Sequence, residues 1–276
     1  MQIFFPESIE EFLRANSIPF HRRGNTITFD APNHPTLILV PLSESAANST
    51  PTGLGNTLYL YEDRWRSNPQ ITGKRLLAHL GHFQRIHARL CKVITLENCK
   101  RFSITPTQFK EKVRTFLNKY HPYGYLKCDF PYALTYKESI VAAGSFSTTR
   151  KGAFEWTRHA TLPEVRIPGG MGKALKAFVQ NRKKEGTLTF EVMSYSDNEW
   201  SNGEVYKTLG FTEEEGLPPI TYHVDSSNFQ RLNYRRWQQA IGKSATEDQK
   251  GINGNAFITI KNRGSRKWKK YFNFTV

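Results

Sequence analysis

The segment Val165-Arg-Ile-Pro-Gly-Gly-Met-Gly-Lys constrains this chain more than any other stretch, because it stands between a strand pattern and a helix pattern. Upstream, Ala153-Phe-Glu-Trp-Thr-Arg-His-Ala reads as a strand. Downstream, Leu175, Phe178 and Val179 give Gly172 to Asn181 one apolar side. Glycines at such a turn let the backbone come close to a ligand, and the free N–H groups that open a helix point at an anion. A pyrophosphate suits that arrangement; a turn that is merely tight has the same spelling. The segment is not a Walker A loop, since Lys173 is followed by Ala174 and Ile167 stands where the first glycine belongs. Nor does it follow the first strand of a βαβ unit, as a dinucleotide fingerprint would.

The surrounding pattern is mixed α/β. Gln108 to Tyr120 is helical, with Phe109, Val113, Phe116 and Tyr120 on one side. Tyr132-Ala-Leu-Thr-Tyr and Ser139-Ile-Val-Ala-Ala-Gly-Ser-Phe-Ser form a hairpin turning at Lys137-Glu138. After the glycine turn come a strand over Thr187 to Tyr195, a short helix Glu204 to Leu209 ended by Gly210, and a final strand Ile220 to Val224. Residues 1–56 read as a small α/β unit, with a helix start at Pro6, strands Thr26–Phe29 and Thr36–Val40, and a long polar loop from Ser43 to Asn56. Three segments are expected: residues 1–95, a central domain over 96–240, and a basic extension over 241–276.

The glycine turn and a second motif downstream carry a resemblance. Some 34 residues after Gly172, beyond a strand, stands Val205-Tyr-Lys-Thr-Leu-Gly-Phe. Together they resemble the GNAT superfamily of acyl-CoA-dependent acetyltransferases over about 98–225, with its R/Q-x-x-G-x-G/A loop followed by a strand and a Y-x-x-x-G-F helix end. The spelling is off by one in either register, with Met171 or Ile167 at a motif position. The resemblance implies a GNAT-like mixed central sheet flanked by helices. It implies acetyl-CoA or another acyl-CoA held at Arg166, Gly169, Gly170, Gly172 and Lys173. It makes Tyr206 the acid that protonates the departing thiolate, and Glu155 the base. Both residues have plainer readings: a packed aromatic with its hydroxyl on the backbone, and an exposed ion pair with Arg158. His159 and His121 read as surface or core histidines more readily than as catalysts.

Charge suggests a partner. The chain has 39 Lys and Arg against 24 Asp and Glu, a formal +15. From Arg64 to Lys92 there are seven Lys or Arg and no acid, and Leu76, Leu80, Phe83, His87 and Leu90 recur at helical spacing. That reads as a basic helix offering Arg64, Arg66, Lys74, Arg75, Arg85 and Arg89 to DNA or RNA, or as a plain solvated helix. Arg266, Lys267, Lys269 and Lys270 in the tail add a second basic, aromatic-rich stretch. Leu58 to Leu90 also resembles the closing strand and helix of phage very-short-patch-repair-like homing endonucleases. Such a nuclease needs carboxylates on Mg²⁺, and upstream Asp30 and His34 stand in a Pro-flanked turn with no acidic cluster on a buried strand, so no metal site is expected. The alternative to an amine N-acyltransferase is therefore a non-catalytic nucleic-acid-binding module of phage or mobile-element type on the same scaffold. Cys91, Cys99 and Cys128 have neither disulfide nor zinc spacing. With acids in place of a signal-peptide basic region and no apolar run long enough to span a bilayer, a cytoplasmic protein is expected.

Overall fold

The computed structural model describes residues 4–43, 56–241 and 257–274. The loop expected between Ser43 and Asn56, and the tail residues Lys243, Glu247, Asp248 and Lys250, lie outside them. In chain order the elements are α1 (Phe5–Ala15), β1 (Phe20–Arg23), β2 (Thr26–Phe29), β3 (Thr36–Val40), β4 (Thr57–Tyr61), α2 (Glu62–Ser67), α3 (Pro69–His79), β5 (Gln84–Arg85), β6 (Lys92–Thr95) and α4 (Pro106–Tyr120). Then come β7 (Phe130–Tyr136), β8 (Ser139–Arg150), β9 (Ala153–Thr161), β10 (Val165–Arg166), α5 (Gly170–Lys184), β11 (Thr189–Asp197) and α6 (Glu204–Thr208). The last are β12 (Thr212–Leu217), β13 (Thr221–Asp225), β14 (Arg231–Asn233), α7 (Tyr234–Ile241), β15 (Phe257–Lys261) and β16 (Ser265–Asn273). No helix among the described residues is long and apolar enough to cross a membrane.

The chain forms two compact units that interleave, where the sequence pattern suggested three consecutive segments. One comprises Gly81–Ser196, Gly203–Gly216 and Arg266–Val276; the other comprises Met1–Leu80, Asp197–Asn202 and Leu217–Ser265.

The first unit is built on a seven-stranded sheet of order β12-β16-β11-β9-β8-β7-β6. Strands β6 to β9 are antiparallel neighbours and β9 pairs with β11 in parallel, so the sheet is mixed. The β7–β8 hairpin turns at Lys137 and Glu138, both at positive φ, as the mirror-image hairpin turns require. Helix α4 starts on a capping box at Thr105 and lays Phe109, Val113 and Leu117 on Ala133, Ala143 and Ala160 of one sheet face. Helix α5 covers the other face, where Phe178 meets Phe146 and Phe154 in a core shared with Tyr132 and Trp156.

Two expectations are corrected here. The basic tail is no extension: β16 lies inside the sheet between β11 and β12, with Trp268 fully buried. The strand expected at Ile220 to Val224 forms as β13, but in a three-stranded sheet of the other unit, between β14 and β15. Trp268 fits because residue 203 is glycine. A Cβ there would stand 2.2 Å from Trp268 Cζ2, and φ is +78°.

The other unit packs α1 (Ile9, Leu13) and α3 (Leu76) on β1-β2-β3-β4, where β3 and β4 run parallel. The long basic helix is also corrected. Helix α3 stops at His79, and Gly81, at φ +88°, turns the chain away. Phe83 and Leu90, expected on its apolar stripe, are exposed. The polar heart of this unit is Arg231, which donates to Asp63 at 2.5 and 3.1 Å and to Glu199 at 2.8 Å, with all three side chains at most 3% exposed. It gathers α2, the segment 197–202 and β14.

The packing around Trp268 is open to measurement. Gly203→Ala should cost about 3 kcal/mol or more in urea denaturation, from overpacking added to left-handed backbone. Gly186→Ala, at φ +82° with no atom within 4 Å of its new Cβ, isolates the backbone part at about 1 kcal/mol. Equal losses would mean that Trp268 simply yields. Separately, burial holds the Glu199 carboxyl up at about 6, from an ordinary value near 4.5, against the pull of Arg231. A carboxyl raised in this way binds extra protons when folded, so its contribution is full below the ordinary value and is lost as pH rises through about 6. Glu199→Gln should flatten the fall in stability across that window; an unchanged slope would show that other groups set it.

Candidate active site

The site is set by where the β9–β11 ladder stops. The parallel register runs from Ala153 opposite Glu191 to Trp156 opposite Ser194, yet β9 continues to Thr161 and β11 to Asp197. On its other side β9 carries a bulge: Phe146 faces Trp156 and Ser145 faces Arg158, leaving Thr157 outside the ladder. A bulge bends a strand and sharpens its twist. The carboxyl ends of two parallel strands that no longer pair with each other, with a crossover helix between them, form the crevice where open α/β sheets bind ligands.

The glycine turn leads from β9 into α5. Gly169 precedes the helix at φ +77°. Gly170 N donates to Ile167 O at 2.8 Å and Lys173 N to Gly169 O at 2.9 Å, while the amides of Met171 and Gly172 have no acceptor among the described residues. Two such N–H groups at the start of a 15-residue helix suit an anion. Gly170 and Gly172 are small for another reason: a Cβ on either would press Leu134 at 3.2 Å or Leu209 at 3.1 Å. Lys173 is committed elsewhere, its ammonium donating to the carbonyls of Ala88 at 2.9 Å and Cys91 at 2.5 Å. Arg166 lies in β10, paired with Arg85 of β5, with its guanidinium 5.9 Å from the Phe83 ring centre; burial lowers its pKa.

Tyr206 and Glu155 are set apart. Alternation puts Glu155 on the sheet face opposite its neighbours Phe154 and Trp156, which share a core with Tyr206. Glu155 is half-buried, and burial raises its pKa against the pull of Arg158. Tyr206 is buried, stacks on Trp268 at 5.7 Å, and lies 2.8 Å from Ser194 Oγ. Ser194 gives its one proton to Trp156 O at 2.9 Å, so Tyr206 donates to Ser194. Burial raises the Tyr206 pKa, which keeps the proton on the phenol.

Sequence reasoning missed the companion network on the same face. Trp156 Nε1–H donates to Tyr132 Oη at 2.9 Å, and that hydroxyl lies 2.6 Å from His159 Nδ1. These residues are 24 and 27 positions apart in the chain. Only the predicted strand pairing could have joined them.

The basic residues fall into both units. Arg66 pairs with Glu62 at 2.6 Å, Arg75 lies 5.2 Å from the Trp200 ring centre, and Arg64 is half-buried near Glu199. Lys74, Arg85 and Arg89 are exposed. In the tail, Arg266 meets Glu213 at 3.5 Å, Lys267 meets Glu214 at 2.9 Å, Lys269 meets Glu214 at 3.0 Å, and Lys270 donates to Leu209 O at 2.5 Å.

No protein-family model matches the chain, and no curated protein matches it. Among solved structures it is similar to the ribosomal-protein-S18-alanine N-acetyltransferase from Escherichia coli, at 12% identity and TM-score 0.39, covering 67% of this chain and 96% of that one. It is similar to a GNAT family acetyltransferase from Elizabethkingia anophelis with acetyl-CoA bound, at 13% and 0.30, covering 51% and 74%. It is also similar to a Bacillus subtilis acetyltransferase in complex with CoA, at 14% and 0.33, covering 67% and 99%. Values this low assign neither family nor activity. The mixed sheet flanked by helices stands on its own strand order.

Lys173→Met should lower stability by about 2 kcal/mol, because two carbonyls lose a charged donor. Thermal denaturation without ligand measures this; an unchanged midpoint would return Lys173 to the role of a ligand contact.

Proposed function

We propose that the chain is a GNAT-type N-acyltransferase that moves an acyl group from acyl-CoA to an amine. The observation that carries this reading is the parting of β9 and β11 beyond Trp156 and Ser194, beside a helix start with two amides free for a phosphate. The amides of Met171 and Gly172 would hold the pyrophosphate of the cofactor, whose thioester supplies the activated acyl group. Tyr206, protonated throughout the neutral range, gives its proton to the leaving thiolate after breaking its bond to Ser194. Glu155, on the far face, does not reach a group beside Tyr206, so the amine enters as the free base and loses its second proton to water. Thr157, outside the ladder at the bulge, marks where β9 bends beside the reacting region, its hydroxyl held by Ser145.

Acetyl-CoA at about 1 mM should raise the melting temperature by about 3 °C or more. Gly169→Asp, an exchange that a left-handed residue tolerates, places a carboxylate over the same amides and should abolish that rise while leaving the ligand-free midpoint within about 2 °C. A wild-type midpoint that ignores acetyl-CoA would end this reading. With a panel of peptide, polyamine and aminoglycoside amines, Tyr206→Phe should slow release of the CoA thiol by about 100-fold.

A further inference from the structure

The Tyr132 hydroxyl determines the protonation of His159. Trp156 Nε1 can only donate, so Tyr132 Oη accepts from it at 2.9 Å. The hydroxyl proton then has one acceptor among the described residues, His159 Nδ1 at 2.6 Å. Tyr132 is 2% exposed, and a buried hydroxyl does not go without an acceptor at small cost. His159 Nδ1 is therefore unprotonated, and the proton of the neutral ring sits on Nε2. Packing supports this. The ring stacks on Tyr132 at 6.0 Å and meets the edge of Trp156, also at 6.0 Å, and burial pushes the imidazole pKa down to about 4. Protein crowds the ring, yet the residue keeps part of its surface open to solvent, and Nε2 has no protein partner among the described residues.

The position of that N–H matters. His159 lies on β9 beyond Trp156, in the stretch that no longer pairs with β11, and it shares the sheet face of Tyr132, Trp156 and Tyr206. A histidine fixed in this state is not a base, because its one basic nitrogen is occupied by Tyr132. It is a neutral donor held in a low-dielectric wall, suited to an oxygen that gains charge during a reaction.

We propose that His159 contacts the substrate directly, its Nε2–H donating to the carbonyl oxygen of the acyl thioester; this rests on the acyl-CoA reading above. As the amine nitrogen bonds to the carbonyl carbon, the π pair moves onto that oxygen and the hydrogen bond from Nε2 strengthens. The pair returns, the C–S bond breaks, the sulfur takes the Tyr206 proton, and the amine nitrogen loses its extra proton to water. His159 keeps its own proton throughout. Tyr132 and Trp156 act through His159 and are positioning residues.

The test uses acetyl-CoA labelled with ¹³C at the carbonyl, observed by infrared difference spectroscopy on the full chain. Bound to wild type, the carbonyl band should lie at lower wavenumber than in His159→Phe, and His159→Gln, which keeps an N–H, should recover part of that displacement. Equal band positions in wild type and His159→Phe, with acetyl-CoA bound to both, would overturn the inference while leaving the acyl-CoA reading intact. Failure of acetyl-CoA to bind wild type at all would remove both. The protein without ligand gives a second measurement that does not depend on the Phe variant folding. Imidazole ¹⁵N shifts should show a single Nε2–H tautomer from about pH 5 to about pH 8, and Tyr132→Phe should mix the tautomers. An Nδ1–H tautomer or an imidazolium in wild type would refute the proposal.

Discussion

The placement of Tyr206 against the seven-stranded sheet leans on the burial of Trp268. The indole is fully inside, stacked on Tyr206, with its N–H given to Ser196 Oγ at 2.9 Å. Burying a side chain of that size contributes about 5 kcal/mol of apolar transfer before entropy. It holds β16 between β11 and β12, and it backs the Tyr206 ring so that the hydroxyl meets Ser194. The phenol at the candidate site is thus positioned by a residue 62 places further along the chain. Gly203 leaves the room for this contact.

Local pattern revealed the elements better than their partners. The β7–β8 hairpin, α4 and α5 were legible because each shows an apolar period of its own, and the hairpin also because Lys137-Glu138 marks its turn. Strand β16 was not, because Lys267, Lys269 and Lys270 flank Trp268 and read as a solvated tail. In the sheet their long stems lie along the surface while their ammonium groups reach Glu214 and a carbonyl. Ile220 to Val224 looked like the closing strand for the opposite reason, being apolar and next in line. Periodicity reports which face is buried and says nothing of which sheet receives it.

The candidate site shows the same division. The glycine turn and Tyr206 announce themselves in the sequence, the first by composition and the second by the Gly-Phe shortly after it. Lys173 looked like a phosphate contact because of its place after the glycines; only the fold shows its ammonium tied to the carbonyls of Ala88 and Cys91. His159 looked unremarkable, since the hydroxyl that fixes its tautomer comes from another strand. In the second unit the basic residues met a similar fate. The buried Arg231 is balanced by two carboxylates, and such a cluster specifies one arrangement of three distant segments more than it adds stability.

The place of β16 has a consequence for how the protein is made. Strand β12 leaves the ribosome with no neighbour in its sheet, and some 48 residues of the other unit are synthesised before Ser265 begins the strand that joins it to β11. Until then β11 is an unpaired edge beside the crevice, and Tyr206 has no ring to rest on. Domains commonly fold as they emerge, from the N-terminal side. Here the ring that backs Tyr206 arrives last, so a nascent chain with its early strands already paired still lacks the support that fixes the phenol.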